Sequence, residues 1–286
     1  MGKGNFINYV VNNDPNKYPS NGVHTDGYYY KLYGKPPVKI VTWADGTDAE
    51  IVAMVNAADN GEINLSDYWS VGDERQVTLS AMSATGVGET HAEQTVTFVL
   101  MNAGGKTLAN ATPSGRSVCS FIVGMKNVLA EDGAMNSDNT AAGGWDACPR
   151  RTWCNEVFRN AIPESLREIF KQHLNITGNS TGSTTVTSTD YFALPAEKEV
   201  FGRNINANST AESSLSQFEY YATDANILKR NGDSVVAWSE RSPSMNLDTY
   251  FCNANYNYIE SDGTYVAEPG EYYAFFNYSL APFGVI

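Results

Sequence analysis

The pattern of apolar and polar positions predicts a helix in the first half of the chain. Thr47 is followed by Asp48-Ala49-Glu50, which provides an N-cap with an acidic residue at the third helical position. Apolar residues then recur at helical spacing as far as about Asn60. We therefore expect an amphipathic helix that packs one face against a core.

Strands are predicted after this helix. Residues 76–79 and 95–100 alternate or run apolar between glycine-bearing turns, which is typical of two paired strands. Residues 118–124 predict a further short buried element.

Two more helices are predicted in the second half, at 152–160 and 163–174, the second with a first-turn proline and apolar residues at helical spacing. Residues 175–183 are polar and predict a loop. Short strands are predicted at four further places: 184–187, 235–238, 250–252 and around Val285.

The first 46 residues differ from the rest because turn residues interrupt them repeatedly. Residues 28–33, YYYKLY, are the one β-prone run there. We therefore divide the chain into a short β-rich segment for attachment or oligomerisation, residues 1–46, and a main domain, residues 47–286.

Composition and charge narrow the classes of partner. With 286 residues, 42% of them apolar, the chain can bury a core without disulfide support. A net charge of −13 argues against nucleic acid as the partner. We find neither an apolar run of about 18 residues nor a signal peptide, so we expect no membrane insertion and synthesis in the cytoplasm. In that compartment the four cysteines are expected to be free thiols.

Several separated strings resemble an uncharacterised domain family of gut-bacterial and phage proteins. The strings are INLSDYWSVGD at 63–73, GGW at 143–145, RTWCN at 151–155, YFALPAEKEVFG at 191–202 and WSERSP at 238–243. In order and spacing they cover roughly residues 47–286, and LAPF at 280–283 is similar as well. Cys154 departs from the residue expected after Trp153. A shorter string, YPSNG at 18–22, resembles segments of tail proteins from phages that infect Gram-positive hosts.

The resemblance implies an α+β protein with a C-type-lectin-like fold, with two main helices, small antiparallel sheets and a long irregular loop region. It implies a location in the virion, in the phage tail. The implied partners are a host-surface glycan or protein and other virion proteins, and trimers are common among phage fibres.

In the implied fold the ligand surface lies near the C-terminal end, and residues 250–279 of this chain are rich in tyrosine and asparagine. Tyrosine offers a large amphipathic contact area and asparagine adaptable hydrogen bonds, as in antibody paratopes. The candidate ligand-binding residues are Asn253, Asn255, Tyr256, Asn257, Tyr258, Tyr265, Tyr272, Tyr273, Asn277 and Tyr278.

A structural interpretation of the same region stays open. Alternating Tyr256 and Tyr258 are also typical of the buried face of a strand. Turn signals at Asp262-Gly263 and Pro269-Gly270 favour exposed loops. Diversification of this region by a retroelement that changes asparagine codons is a further hypothesis.

The motifs of known enzymes are incomplete in this sequence. His91-Ala92-Glu93 matches the first half of the zinc-deaminase signature, but the required P-C-x-x-C is missing. Residues 178–182 match G-x-S-x-G without a strand-to-helix context. Cys148, Cys154 and His173 have the ligand types of a zinc site without its spacing. Formylglycine-forming relatives of the lectin fold use two cysteines near the C-terminus, where this chain has only Cys252. We therefore predict no catalytic residue, no metal and no cofactor.

Three functions follow from the sequence, in order of preference. The first is a non-enzymatic phage tail protein whose C-terminal surface binds a host receptor. The second is a purely structural tail or capsid decoration protein. The third is a hydrolase or oxidase whose site the sequence does not reveal.

Overall fold

The computed structural model describes residues 38–84, 87, 90–127, 129–131, 133–134, 144–178, 185–202, 214–222, 255–259, 265–269, 277–278 and 281–286. Within them the protein is mixed α/β, with short helices and small antiparallel sheets. The helices are α1 Asp48–Asp59, α2 Gly144–Ala147, α3 Pro149–Trp153, α4 Arg159–Ala161, α5 Glu164–Arg167 and α6 Glu197–Phe201, with a π-helical turn at Cys154–Phe158 and 3-10 turns at Leu65–Asp67 and Glu219–Ala222. The strands are β1 Glu74–Leu79, β2 Gln94–Ala103, β3 Phe121–Met125, β4 Gly133–Ala134, β5 His173–Gly178, β6 Thr185–Asp190, β7 Phe192–Ala193, β8 Asn255–Ile259, β9 Tyr265–Pro269, β10 Asn277–Tyr278 and β11 Phe283–Val285.

A five-stranded antiparallel sheet in the order β1-β2-β3-β11-β7 forms the centre of the frame. Strands β1 and β2 pair over six residues, with Val77 opposite Val96. This confirms the strand pair predicted at 76–79 and 95–100. The buried element predicted at 118–124 is confirmed from Phe121 onward as β3, whereas Val118 is exposed. Three two-stranded sheets, β5–β6, β8–β9 and β4–β10, complete the described strands.

Helix α1 forms as the sequence predicts. The Thr47 hydroxyl accepts a hydrogen bond from the backbone N–H of Glu50, and the Glu50 carboxylate accepts one from the backbone N–H of Thr47. This capping box fixes the first turn. Ile51 and Met54 on the inner face are completely buried.

The residues just before α1 pack against the main domain. Trp43 is completely buried, and its ring centroid lies 5.4 Å from that of Trp69. The carbonyl of Trp43 accepts a hydrogen bond from the Arg75 guanidinium at 3.0 Å. Residues 1–37 of the predicted attachment segment lie outside the described residues, so the attachment role of segment 1–46 stays a prediction.

A nearly continuous helical run covers 149–161, which confirms the helix predicted at 152–160. It begins earlier than the apolar pattern indicates because Cys148 caps it and Pro149 occupies its first turn. The segment Cys154–Phe158 has π-helical pairing, in which the backbone N–H of Arg159 reaches the carbonyl of Cys154.

The helix predicted at 163–174 is wrong beyond its first turn. Helix α5 ends at Arg167, and His173 begins β5, which pairs with β6 over six residues. The predicted loop at 175–183 is therefore wrong for Asn175–Gly178. Ile169 and Phe170 are buried, as the helical pattern requires. The backbone N–H and C=O groups from His173 onward form their hydrogen bonds with β6 and not within a helix.

Two of the predicted strands, 235–238 and 250–252, lie outside the described residues. The strand predicted around Val285 is confirmed as β11, which pairs with β3 on one side and β7 on the other. No helix in the described part of the chain is long and apolar enough to cross a bilayer.

Strand β11 passes between two aromatic rings at Gly284. A methyl group added at Gly284 would lie 2.7 Å from the Phe192 ring and 2.9 Å from the Phe170 ring. Both rings are buried, so neither can move into solvent.

We predict that Gly284→Ala destabilises the protein by about 2 kcal/mol, the usual cost of overpacking a core. Chemical denaturation followed by circular dichroism measures this change in the free energy of unfolding. The matched control is Gly284→Ala combined with Phe170→Leu, which makes room beside β11. If the double variant is no more stable than the sum of the two single changes predicts, the steric explanation is wrong.

Candidate functional site

The carboxylate of Asp190 is the centre of a buried hydrogen-bond network. Asp190 is the last residue of β6 and is completely buried. Its Oδ2 accepts hydrogen bonds from the indole N–H of Trp145 at 2.9 Å, from the Asn175 amide at 2.9 Å and from the Ser188 hydroxyl at 2.8 Å. Its Oδ1 accepts one from the Arg151 guanidinium at 2.6 Å. One side chain therefore ties α2 and α3 to the β5–β6 hairpin.

These contacts keep Asp190 ionised although it is buried. Burial is the largest effect and by itself raises the pKa of the carboxyl. The Trp145 hydrogen bond, the charge of Arg151 and the hydrogen bonds from Asn175 and Ser188 together outweigh burial, so the pKa lies below its usual value. At neutral pH the network therefore contains a carboxylate with satisfied oxygens.

Asn155 extends the network to the residues that follow β6. Its amide N–H₂ donates to the carbonyls of Arg151 at 2.9 Å and Phe192 at 3.1 Å. Its amide oxygen accepts from the backbone N–H groups of Tyr191 at 2.6 Å and Phe192 at 3.2 Å. Asn155 lies in the π-helical turn, a type of irregularity that is frequent at functional sites. The turn thus holds the backbone of Tyr191 in one position.

Arg159 holds the ring of the same tyrosine. Its guanidinium lies 3.9 Å from the centroid of the Tyr191 ring, a cation–π contact. Asn155 and Arg159 are four residues apart in the helical run, so one helix surface fixes both the backbone and the ring of Tyr191.

Tyr191 lines a groove of about 270 Å³ on the surface of the domain. The groove walls come from the end of α1, from the loop before β3, from the segment that leads into β5 and from the link between β6 and β7. The lining residues are Asp59, Asn110, Ala111, Thr112, Pro113, Phe170, Lys171, Gln172 and Tyr191.

An ion-pair cluster fixes one wall of this groove. Asp59 is almost completely buried and bonds to Lys171 at 2.5 Å and to Arg116 at 2.8 Å. The backbone carbonyl of Asp59 accepts a hydrogen bond from the N–H of Ser114. The carboxylate of Asp59 is therefore shared by two cations.

Three polar lining groups are available to a ligand. The side-chain amides of Asn110 and Gln172 and the hydroxyl of Tyr191 make no hydrogen bond to any other residue that the structure describes. Asn110 is exposed, whereas Gln172 and Tyr191 are half-buried. The groove thus combines an aromatic residue, two amides and a lysine.

The tyrosine- and asparagine-rich candidates occupy three described strands. Asn255, Tyr256, Asn257 and Tyr258 lie on β8, and Tyr265 lies on β9, its antiparallel partner. Asn277 and Tyr278 lie on β10, which pairs with β4. The structure brings the first five together in one hairpin. Asn253, Tyr272 and Tyr273 lie outside the described residues.

The backbone of this hairpin is extended where Tyr256 and Tyr258 alternate with asparagines. Tyr256 lies opposite Glu268 and Tyr258 opposite Val266 in the register. The turn signal at Asp262-Gly263 falls between the two strands, as a hairpin requires. Use of these residues in binding stays a prediction.

The groove beside Tyr191 was not predicted from the sequence. The string at 191–202 contains Tyr191, but the other lining residues come from three distant segments. The sequence signal that could have indicated this site is the string at 191–202 together with RTWCN at 151–155. The second string supplies Arg151 and Asn155 of the network.

The other residues with candidate chemistry are packed in the core. Trp145 and Trp153 are completely buried, as expected for structural tryptophans, and Trp238 and Arg241 lie outside the described residues. His91 is buried, with its ring centroid 5.5 Å from that of Trp153. The string at 178–182 follows strand β5 instead of the predicted helix, and β6 comes after it.

The thiols of Cys148 and Cys154, which have the ligand type of a zinc site, are buried. Burial raises the pKa of Cys148 to about 12 and raises that of Cys154 still further. Arg150 lies between these two cysteines in the sequence, and burial lowers the pKa of its guanidinium to about 10. Cys119, Cys148 and Cys154 are free cysteines, as predicted, and Cys252 lies outside the described residues. Among the described residues no group of three His, Cys, Asp or Glu side chains is placed to hold a metal ion.

Comparison with known proteins gives one match. The model of a family described as a domain of unknown function, DUF6273, matches residues 122–270, slightly more than half of the chain. The matched range contains Trp145, Arg151, Asn155 and Asp190 of the network and Tyr191 of the groove. No curated protein and no solved structure matches the chain.

We predict that Asp190→Asn lowers the free energy of unfolding by about 3 kcal/mol, because it leaves Arg151 and four other donors without their buried anion. The native carboxyl has a lowered pKa, so its contribution is present above about pH 4, the unfolded value, and is lost as the pH falls below that. The variant should therefore lose less stability on acidification than the parent protein. Urea denaturation at a series of pH values measures both effects.

Asp146→Asn is the matched control for this change. Asp146 is also an acidic partner of Arg151, at 3.2 Å, but its side chain is largely exposed, so we expect a change below about 1 kcal/mol. Equal effects of the two substitutions would contradict the central role of Asp190.

We predict that Cys119, Cys148 and Cys154 resist alkylation in the native protein, because burial raises the pKa of each thiol and excludes the reagent. Iodoacetamide treatment at pH 8 followed by peptide mass spectrometry checks this at each residue. Labelling should appear only in denaturant. Rapid native labelling of any of the three would contradict the packing described here.

Proposed function

The chain belongs to the DUF6273 family of domains of unknown function, and we propose that it is a non-enzymatic protein that binds a glycan or protein on a host-cell surface. The binding residues would lie in the tyrosine- and asparagine-rich region 250–279. The protein would act in a phage tail, on a frame with a C-type-lectin-like fold.

The observation that carries this proposal is the contact between Phe218 and Phe283. Phe218 comes before residues 223–280 and Phe283 comes after them, yet their ring centroids are 5.4 Å apart in an edge-to-face arrangement. Both rings are buried. The chain between them therefore starts and ends at the same place on the frame.

Both ends of this long segment are firmly attached. The N–H of Phe218 donates to the carbonyl of Glu199 at 2.8 Å, and Tyr220 and Tyr221 are buried beside it. On the other side β11 pairs with two strands of the central sheet. A long segment with anchored ends on a rigid scaffold is the arrangement in which proteins most often carry binding residues.

A buried ion pair strengthens the anchoring point. Lys106 donates a hydrogen bond to the carboxylate of Glu199, and both side chains are buried. The ammonium group of Lys106 also lies 5.1 Å from the centroid of the Phe283 ring. The two ends are thus held by apolar, ionic and cation–π contacts at one point.

The composition of the anchored segment supports binding. Residues 250–279 contain seven of the 17 tyrosines of the chain, in about a tenth of its length. Tyrosine-rich surfaces bind proteins and sugars with little loss of side-chain entropy. The hairpin β8–β9 gives five of the candidate positions an extended, paired backbone.

The frame is compatible with the C-type-lectin-like fold that the sequence strings suggest. Its small antiparallel sheet receives β11 from near the C-terminal end, and the long segment comes immediately before β11. Short helices pack beside the sheet. These features support the proposal of a lectin-type frame with a binding segment, and the phage strings at 18–22 support a location in the virion.

We predict that Tyr256→Ala and Tyr272→Ala each weaken binding to a receptor at least tenfold, because large tyrosines dominate such interfaces. A printed glycan array and fixed gut bacteria would be probed with labelled protein, and apparent affinity would be measured by titration. The matched control is Tyr68→Ala, which removes an exposed tyrosine of the frame, 40% accessible. Absence of binding by the parent protein would favour the structural decoration protein, and binding that survives both substitutions would contradict the use of region 250–279.

A further inference from the structure

We propose that the groove beside Tyr191 is a second binding site, separate from region 250–279, and that it takes a single sugar ring bearing a carboxylate. None of the lining residues that the structure describes belongs to the tyrosine- and asparagine-rich region. The site would add a specific contact with an acidic sugar to the ligand that region 250–279 binds. The proposal for the groove does not depend on the proposal for that region.

The charge at the groove favours an anion. Among the lining residues that the structure describes, Asp59 is the only acidic one, and it is already shared by Lys171 and Arg116. A third cation, Arg159, contacts the ring of Tyr191. Of these charged groups only Lys171 and Asp59 are among the described lining residues, and Arg116 and Arg159 each contact a lining residue. The carboxylate of Asp190, next to Tyr191, is paired with Arg151. In this set four cations accompany two carboxylates, and such an excess of positive charge favours an anionic ligand.

Lys171 is suited to be the direct partner of the carboxylate. An ammonium group has three donors, and Asp59 uses one of them. The Lys171 side chain is about one-fifth exposed, so a ligand can reach it and water hydrates it only in part. A charge-assisted hydrogen bond at such a site is stronger than a neutral one.

The uncharged lining groups match the hydroxyls of a sugar. The amides of Asn110 and Gln172 each offer donors and an acceptor, and neither has a partner among the described residues. Tyr191 adds an aromatic ring and a hydroxyl. Vicinal hydroxyls that both donate and accept are bound well by side-chain amides, and the apolar face of a sugar packs on an aromatic ring.

The size of the groove restricts it to one ring. Its volume of about 270 Å³ is slightly below the roughly 300 Å³ at which pockets for drug-sized ligands begin. A polymer could still be bound at one residue because the groove is open to the surface.

The site is rigid before a ligand arrives. Asn155 fixes the backbone of Tyr191 and Arg159 fixes its ring. The backbone carbonyl of Gln172 accepts from the N–H of Ala109, which joins the two sides that carry the free amides. A preorganised site loses less entropy on binding than a mobile one.

The test uses D-glucuronic acid and its neutral amide, D-glucuronamide, which have the same ring and hydroxyls. Ligand-observed NMR titration of the full chain measures the affinity for each. We expect glucuronate to bind in the millimolar range and glucuronamide to bind at least fivefold more weakly. Affinity for glucuronate should fall as salt is added.

Gln172→Glu is the decisive variant, because it keeps the shape of the side chain and adds a negative charge beside the bound carboxylate. The amide it replaces has no partner among the described residues, so the melting temperature should change little. We expect the affinity for glucuronate to fall at least tenfold. The matched control is Gln76→Glu, the same charge change on the exposed face of β1, which should leave binding unaltered.

Three results would overturn the proposal. They are equal affinity for the acid and the amide, no binding of either sugar, and equal loss of binding in Gln172→Glu and Gln76→Glu. Tyr256→Ala and Tyr272→Ala should leave glucuronate binding intact, so failure at one site is distinguishable from failure at the other.

Discussion

The buried carboxylate of Asp190 is the interaction on which the arrangement of the domain depends. An ionised group in the interior is tolerated only when its oxygens are satisfied, and here an indole, an amide, a hydroxyl and a guanidinium supply the donors. These donors belong to separate parts of the chain, so the carboxylate can be satisfied only when α2, α3, β5 and β6 have come together. A requirement of this kind specifies one packing among many that would bury the same apolar surface equally well.

The same network connects the interior to the surface. Asp190 is followed directly by Tyr191, and Asn155, which contacts Asp190 at 3.3 Å, also holds the backbone of Tyr191. Tyr191, which lines the groove, is therefore positioned by a residue that also contacts the buried carboxylate of Asp190. Any displacement of the π-helical turn would move the wall of the groove. Region 250–279 is connected to the frame elsewhere, at the anchoring point of Phe218 and Phe283 and through the pairing of β10 with β4.

Sequence patterns predicted the local elements well and the distant contacts poorly. Helix α1 follows from its capping box and the spacing of Ile51 and Met54, and β1 and β2 follow from alternation, because each signal lies within a few residues. The apolar residues at 163–174 satisfy helical spacing, yet Ile169 and Phe170 are buried in a non-helical segment because β5 gains its hydrogen bonds from β6. The groove escaped prediction for a related reason, since Asp59, Asn110 and Lys171 meet only through tertiary folding and none of them has a local motif.

The position of β11 has a consequence for how the protein reaches its native state. Strands β1, β2 and β3 are close in sequence and can pair early, but β7 pairs with β11 alone among the described strands, and β11 must also join β3 from far along the chain. During synthesis on the ribosome, the edge of β3 that pairs with β11 and the whole of β7 would lack their strand partner until the segment containing Phe283 has emerged from the exit tunnel. Closure of such non-local contacts is slow, so we expect the unpaired strand edges to be exposed to aggregation until β11 has paired.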